Sequence, residues 1–328
     1  MSVELPKAIL YSYDHSVWST VPRLCLYEKG YGDDEYVVKQ VDISKGENFA
    51  PSYLKINMHG TVPTLVVPML ETTGAEVASR YRSLRDTISI CEFLDQARSP
   101  HTHNTTSDRP APVLSPATIE GKSVSDSLIA LCHLPSVDPN FLVIACQSPE
   151  ELRTKAAGSQ GAMLSARHDA LQTYLKEAKQ IAADSPLSSS KDKGLTYEQK
   201  TVVFLEEKAT ANEVVWEIYN GKAGEEREKA FFVASKKVWT HGIPDVLRKM
   251  ESYIRGPYLL GDQVCLADLH VIAWLSRIIE LSGGTKTASG IEALESLTGH
   301  KVGPKMKAFW ALWIERPSFK SIYATGLH

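Results

Sequence analysis

Between residues 8 and 98 the apolar positions change period several times. Residues 8–13 form a short apolar and aromatic run of strand length. Val21, Leu24, Cys25 and Tyr27 then recur at roughly helical spacing within 17–29, and Gly30 ends the run. Residues 35–43 read as a second strand, 50–58 as one short helix, 64–68 as a third strand and 81–84 as a short fourth. A helix is predicted over 86–97, started near Arg85 or Asp86, with Ile88, Ile90, Cys91 and Leu94 on one face. The order β-α-β-α-β-β-α predicts an α/β sandwich.

Residues 99–116 break the pattern. Ser99-Pro100 through Pro110-Ala111-Pro112 is crowded with turn formers and reads as a linker. From residue 117 to 328 the periodicity is almost entirely helical. Ser148-Pro149-Glu150-Glu151 has the signature of a helix start: a capping hydroxyl, proline in the first turn, then acids where the dipole favours them. Helices are predicted over 164–183, 196–219, 225–253, 266–281 and 304–315, with a mobile loop over 185–194. The expected organisation is therefore a mixed domain over 1–98, a linker over 99–116 and a helical domain over 117–328.

Composition narrows the class. The chain has 328 residues, which suits two domains. It is 43% hydrophobic and 23% charged, an ordinary globular balance. Lys and Arg number 36 against 39 Asp and Glu, so there is no basic excess for nucleic acid. Five scattered cysteines without CxxC spacing suggest neither disulfides nor a zinc ribbon, and point to a reducing, cytoplasmic setting. No apolar run approaches the length of a membrane span, and the first twenty residues do not read as a secretory signal. Asn104-Thr105-Thr106 is then a chance match to the glycosylation sequon.

Three segments, in order, carry a resemblance. Ser16-Val-Trp-Ser-Thr-Val-Pro-Arg-Leu-Cys-Leu-Tyr-Glu-Lys-Gly30 resembles S-P-F-S-x-x-V-R-x-x-L-x-E-K-G, the serine-type pattern of the cytosolic glutathione transferases. Asn57-Met-His-Gly-Thr-Val-Pro-Thr-Leu65 is similar to that family's N-P-x-G-x-V-P-x-L. Gly256-Pro-Tyr-Leu-Leu-Gly-Asp-Gln-Val-Cys-Leu-Ala-Asp-Leu269 resembles its C-domain signature, and Trp313-Ile-Glu-Arg-Pro-Ser-Phe-Lys320 has the look of its ending. The resemblance implies a thioredoxin-like N-terminal domain followed by an all-helical C-terminal domain. It also implies glutathione as co-substrate, a small hydrophobic electrophile, a detoxification-type conjugation and a homodimer. The length and the serine type resemble fungal and plant-like members. The chain is longer than family members usually are, with the excess in 99–165, 185–195 and 283–303.

Such an enzyme must turn a thiol of pKa about 8.5 into the nucleophilic thiolate, and each unit of depression takes about 1.4 kcal/mol. By the resemblance Ser16 is the catalytic hydroxyl, at the strand-to-helix turn where the helix dipole assists it. Ser19 is the fallback. Val62-Pro63 matches the family's cis peptide, whose exposed backbone pairs with glutathione like an added strand. Asp86 and Thr87 match the pair that holds the γ-glutamyl end, and Lys45 and His59 are candidates for the glycyl carboxylate. Trp18, Trp216 and Tyr219 are candidates for the acceptor pocket.

Departures are also visible. Val17 replaces the usual proline and Pro22 the usual valine, so the first helix is expected to begin late or kink. Thr61 replaces a longer donor, Asp86 is one methylene short of Glu, and Cys265 stands where Ser or Thr caps a helix, which predicts a loss of about 1 kcal/mol of capping. Cys25 reads as a core residue, and Ser16 where glutaredoxin-like relatives carry Cys disfavours thiol reduction. His168, His241 and His270 are isolated on helices and predict no metal site. The competing reading is a non-catalytic protein of the same fold that binds apolar ligands or partners. A membrane-anchored relative sharing the His15-Ser16 turn is opposed by the lack of an apolar span after Phe319.

Overall fold

A computed structural model describes residues 7–69, 81–102, 105–184 and 195–328. The loop expected over 185–194, and Asn104 of the sequon, lie outside the described residues. In chain order the N-terminal elements are β1 (Ala8–Ser12), α1 (Val17–Glu28), β2 (Tyr36–Gln40), α2 (Pro51–Leu54), β3 (Thr64–Pro68), β4 (Tyr81–Leu84) and α3 (Thr87–Ala97). A short 3-10 turn, Glu47–Phe49, precedes α2, so the helix expected over 50–58 is two smaller pieces. The sheet runs β2-β1-β3-β4, with β1 parallel to β2 and the other pairs antiparallel. This is the thioredoxin-like arrangement that the resemblance implied.

The remainder is helical: α4 (Ile119–Cys132), α5 (Pro139–Ile144), α6 (Pro149–Ala157), α7 (Ser159–Asp184), α8 (Tyr197–Tyr219), α9 (Glu225–Lys237), α10 (Ile243–Tyr253), α11 (Leu266–Leu281), α12 (Gly290–Thr298), α13 (Pro304–Trp313) and α14 (Pro317–Ile322). The stretch predicted as one helix over 225–253 is interrupted by a π turn at Val238–Gly242, where the Ile243 N–H reaches back to Val238 O. Pro244 has no N–H to give Thr240, so the ladder widens just before it. The composition changes class near residue 100, but packing groups the chain differently. One compact unit is Met1–Gln40, Val62–Val143 and Ser235–His328; the other is Val41–Thr61 and Ile144–Ala234.

In the first unit α1 and α3 cover the sheet. The face of α3 that is buried is Thr87, Ile90, Cys91, Leu94 and Asp95. Ile88, expected on that face, is 40% exposed, because two residues of helix turn it about 200° from Ile90. Pro22 lies inside α1, yet the helix begins at Val17, so the late start is not found. Cys25 is buried in the core, as expected. The centre of this unit is α11, buried on nearly every side from Leu266 to Ile279, as its all-round apolar sequence requires. Its N-terminus is held by Asp268, which accepts from Cys265 N–H at 2.7 Å and from Leu259 N–H at 2.9 Å. Burial raises that carboxyl to about 6 although these bonds oppose the rise.

Among the ion pairs inside this unit, those centred on Asp95 and on Glu295 are tied to backbone N–H groups as well. Lys29, at the end of α1, is fully buried and meets Asp95 Oδ1 at 2.9 Å and Pro112 O at 2.6 Å. Asp95 also accepts from the N–H groups of Leu114 and Ser115, each at 2.9 Å. Glu295, on α12, binds Lys301 and Lys307 and accepts from Val302 N–H at 2.8 Å.

In the second unit α7 and α8 form an antiparallel pair around Phe49, Leu54, Leu171, Ala178, Leu205 and Ala209. Gly60 has φ 59°, and a side chain there would meet the Phe204 ring, so only glycine lets the turn sit against α8.

Removing one partner of the buried pair strands the other charge. Lys29→Met is expected to destabilise the fold by about 3–5 kcal/mol in urea denaturation. Glu295 gives a pH test. Burial pushes its carboxyl up, but Lys307, the Val302 N–H and Lys301 outweigh burial and hold it down to about 2. The folded state is thus favoured above the unfolded carboxyl's range, and that contribution disappears as pH falls from about 4.5 towards about 2. Glu295→Gln is expected to flatten the urea midpoint against pH in that window.

Candidate functional site

The strand register brings three turns to one end of the sheet. Tyr11 pairs with Thr64, so the exit of β1 lies beside the entry to β3. Leu65 pairs with Leu84, so the exit of β4 lies there too. Ser16 follows β1, Val62-Pro63 precedes β3, and Asp86-Thr87 follows β4. The N-termini of α1 and α3 therefore open at the same sheet end, where orphan N–H groups and helix dipoles favour anions.

Ser16 is the N-cap of α1, and its Oγ accepts from the Ser19 N–H at 3.3 Å. That bond uses an oxygen lone pair and leaves the hydroxyl hydrogen available to donate. The residue is buried, with 7% of its surface exposed. Ser19 is fully buried, and its Oγ accepts from Tyr13 N–H at 3.3 Å. The Val62-Pro63 peptide is cis. Asp86 is exposed and caps α3, accepting from Ser89 N–H at 2.8 Å, while Thr87 is buried at the first helical position.

Trp18, the second residue of α1, stacks on His133 with ring centroids 4.0 Å apart. His133 Nε2 lies 3.4 Å from Nδ1 of His270, which α11 carries into the core. His270 is therefore not isolated, as its place in the sequence suggested, but half of an imidazole pair beside Trp18. Burial, then His133, push His270 down to about 3, and burial also lowers His133. Burial thus favours the neutral form of both imidazoles. Sequence spacing gave no sign of this pair, because 137 residues separate its members.

The other candidates belong to the second unit. Lys45 is exposed and pairs with Asp42 at 2.9 Å. His59 is exposed, and its N–H donates to Asn57 Oδ1 at 2.9 Å. Trp216 stacks on His168, 4.3 Å between centroids, with Lys222 over its ring. His168 in turn meets Glu213 at 3.1 Å. Tyr219 is buried, and its hydroxyl donates to Ile144 O at 2.6 Å. Among the described residues no group of three or more His, Cys, Asp or Glu gathers closely enough to hold a metal.

Residues 10–102 match the family described as the N-terminal domain of glutathione S-transferase. That segment of the chain is similar to the N-terminal domain of the glutathione transferases. A zeta-class glutathione S-transferase from Euphorbia esula is 37% identical over 120 residues, which are 37% of this chain and 42% of that protein. A tetrachloro-p-hydroquinone reductive dehalogenase from Sphingobium chlorophenolicum is 44% identical over 64 residues, 19% of this chain and 25% of that protein. The matches thus span less than half the length of either relative. Among solved structures, the beta-etherase LigF from Sphingobium sp. strain SYK-6 shares the fold. Its TM-score is 0.53 at 16% identity, over 98% of this chain and 100% of that one. The cis peptide and the cap at Ser16 stand where the motifs put them.

The neutral imidazoles set a pH dependence. His270 has a folded-state pKa below its unfolded value, so the unfolded chain binds protons first. Stability is expected to fall as pH drops from about 6.5 towards about 3. His270→Leu should weaken that slope in urea midpoints measured between pH 7 and about 4.

Proposed function

We propose that this chain is a glutathione-dependent transferase that joins the glutathione sulfur to a small hydrophobic electrophile. The observation that supports it best is the convergence of Ser16, Val62-Pro63 and Asp86-Thr87 at one sheet end with two helix N-termini. A thiol, a peptide edge and a carboxylate can each be met there. In this reading Ser16 donates its hydroxyl hydrogen to the sulfur, and the dipole of α1 adds to the preference for the anion. The Val62 backbone takes the cysteinyl peptide as an added strand. The buried hydroxyl and N–H of Thr87 take the γ-glutamyl carboxylate at the start of α3. The Asp86 carboxylate accepts from the glutamyl ammonium while one of its oxygens caps the helix.

The thiolate then attacks an electrophilic carbon. A carbon–sulfur bond forms, and the leaving group departs with its electron pair. The name of the dehalogenase relative contains a chlorinated aromatic, a compound of the small hydrophobic class proposed. Trp18, partly buried beside the α1 N-terminus, supplies an aromatic face for such an acceptor. A cytoplasmic homodimer is part of the same reading.

Titrating the protein with glutathione and following thiolate absorbance by ultraviolet difference tests this. A saturable thiolate signal at neutral pH is expected. Ser16→Ala should lose it, lower conjugation by about 10²-fold or more, and cost about 1 kcal/mol of helix capping. A Ser16→Ala protein as active as the parent would remove Ser16 from the mechanism. No binding and no signal in the parent would favour the ligand-binding reading, in which the Asp86 carboxylate is only a cap.

A further inference from the structure

The peptide that joins His15 to Ser16 is held on both edges. Its N–H, from Ser16, donates to Tyr13 O at 2.9 Å. Its carbonyl, His15 O, accepts from Nη2 of Arg277. The next carbonyl, Ser16 O, takes the Thr20 N–H at 3.0 Å and the Thr20 hydroxyl at 3.3 Å. Thr20 Oγ1 in turn meets His328 Nε2 at 3.2 Å. The Ser16 backbone therefore has little freedom to turn.

Arg277 reaches this turn from α11 as a buried cation, its side chain 11% exposed. Its nearest carboxylate, Glu280, is 3.6 Å from Nη1, an ion-pair distance longer than a hydrogen bond. Its Nε has no hydrogen-bond partner among the described residues. The groups that act on it are Glu280, Tyr323 and Tyr13, and its charge falls on His328 together with those of His15 and Arg23. Arg23 is taken up by Asp14 at 3.1 Å. A guanidinium buried with so few acceptors is a poor stabilising device, since an apolar side chain would fill the space without desolvating a charge. What the charge does accomplish is local. It fixes the carbonyl before Ser16 and adds positive potential behind the N-terminus of α1.

We propose that Arg277 is a positioning residue for thiolate formation: it locks the His15–Ser16 peptide, aims the Ser16 hydroxyl and lowers the pH at which bound glutathione ionises. This rests on the reading of Ser16 given above. It concerns the helical part of the chain, which the thiol-activating motif does not include.

The test is a pH titration of glutathione thiolate absorbance on the full chain, in the parent and in Arg277→Met, Arg277→Lys and Glu280→Gln, with thermal midpoints recorded for each. Arg277→Met is expected to raise the bound thiol's midpoint by about one pH unit, a tenfold loss of thiolate below the midpoint. Arg277→Lys, which keeps the charge, should lie between Met and parent. Glu280→Gln removes the opposing charge and should move the midpoint the other way. A purely structural arginine would leave the midpoints of Arg277→Lys and of folded Arg277→Met at the parent's value. If Arg277→Met does not fold, the signs of Arg277→Lys and Glu280→Gln decide. A parent that ionises glutathione, with variants sharing its midpoint, would overturn the role of Arg277 and leave Ser16 standing. A parent with no thiolate signal would overturn the Ser16 reading and this inference with it.

Discussion

The buried pair of Lys29 and Asp95 is the constraint on which the sheet-bearing unit depends. Lys29 ends α1 and Asp95 sits near the end of α3, so one ion pair fixes the C-terminal ends of both helices on the sheet. The same two side chains bind the backbone at Pro112, Leu114 and Ser115. Leu114 O then accepts from Leu266 N–H at the start of α11. A charge pair removed from water is stabilising only when its remaining donors and acceptors are satisfied, and here backbone groups of the turn-rich segment satisfy them. The segment 99–116 is linker-like by composition, yet its last residues are bonded to the buried pair and to the start of α11.

Fixing the far ends of α1 and α3 also fixes their near ends. Both N-termini open where β1, β3 and β4 meet their neighbouring turns. The site is thus built mainly from backbone: orphan N–H groups, two caps and a cis peptide. Such groups are oriented before any ligand arrives, which is what electrostatic stabilisation of a developing anion requires. Side chains from α4 and α11 frame it. His133 and His270 place neutral rings against Trp18, while Arg277 places a positive charge against the turn.

The second unit follows a different plan. Its long pair α7 and α8 packs through small and branched residues around Phe49 and Leu54. Aromatic residues are spent on local contacts. Trp216 lies between His168 and Lys222, and the Tyr219 hydroxyl is bonded to Ile144 O with the Cys146 sulfur 3.6 Å away. Helical spacing alone cannot distinguish an aromatic that lines a cleft from one that closes a helix end.

Much of the fold was legible because its signals are local. The order of strands and helices, the cap at Ser16, the Gly30 stop, the Val62-Pro63 motif and the apolar run of α11 are each encoded within a few residues. Where local rules conflicted, the structure decided. Pro22 did not delay α1, because the Ser16 cap and the core contacts of Val17 and Val21 outweigh one missing N–H. Ile88 turned outward because the buried face of α3 is set by Ile90, Cys91 and Leu94. The pairing of His133 with His270, and of Arg277 with the turn before Ser16, joins residues 137 and 262 apart. The sequence by itself determined the elements, their caps and the family motifs, since these depend on neighbours along the chain. Only the tertiary structure decided which charges and imidazoles face the candidate site, because that depends on how α4 and α11 pack against α1.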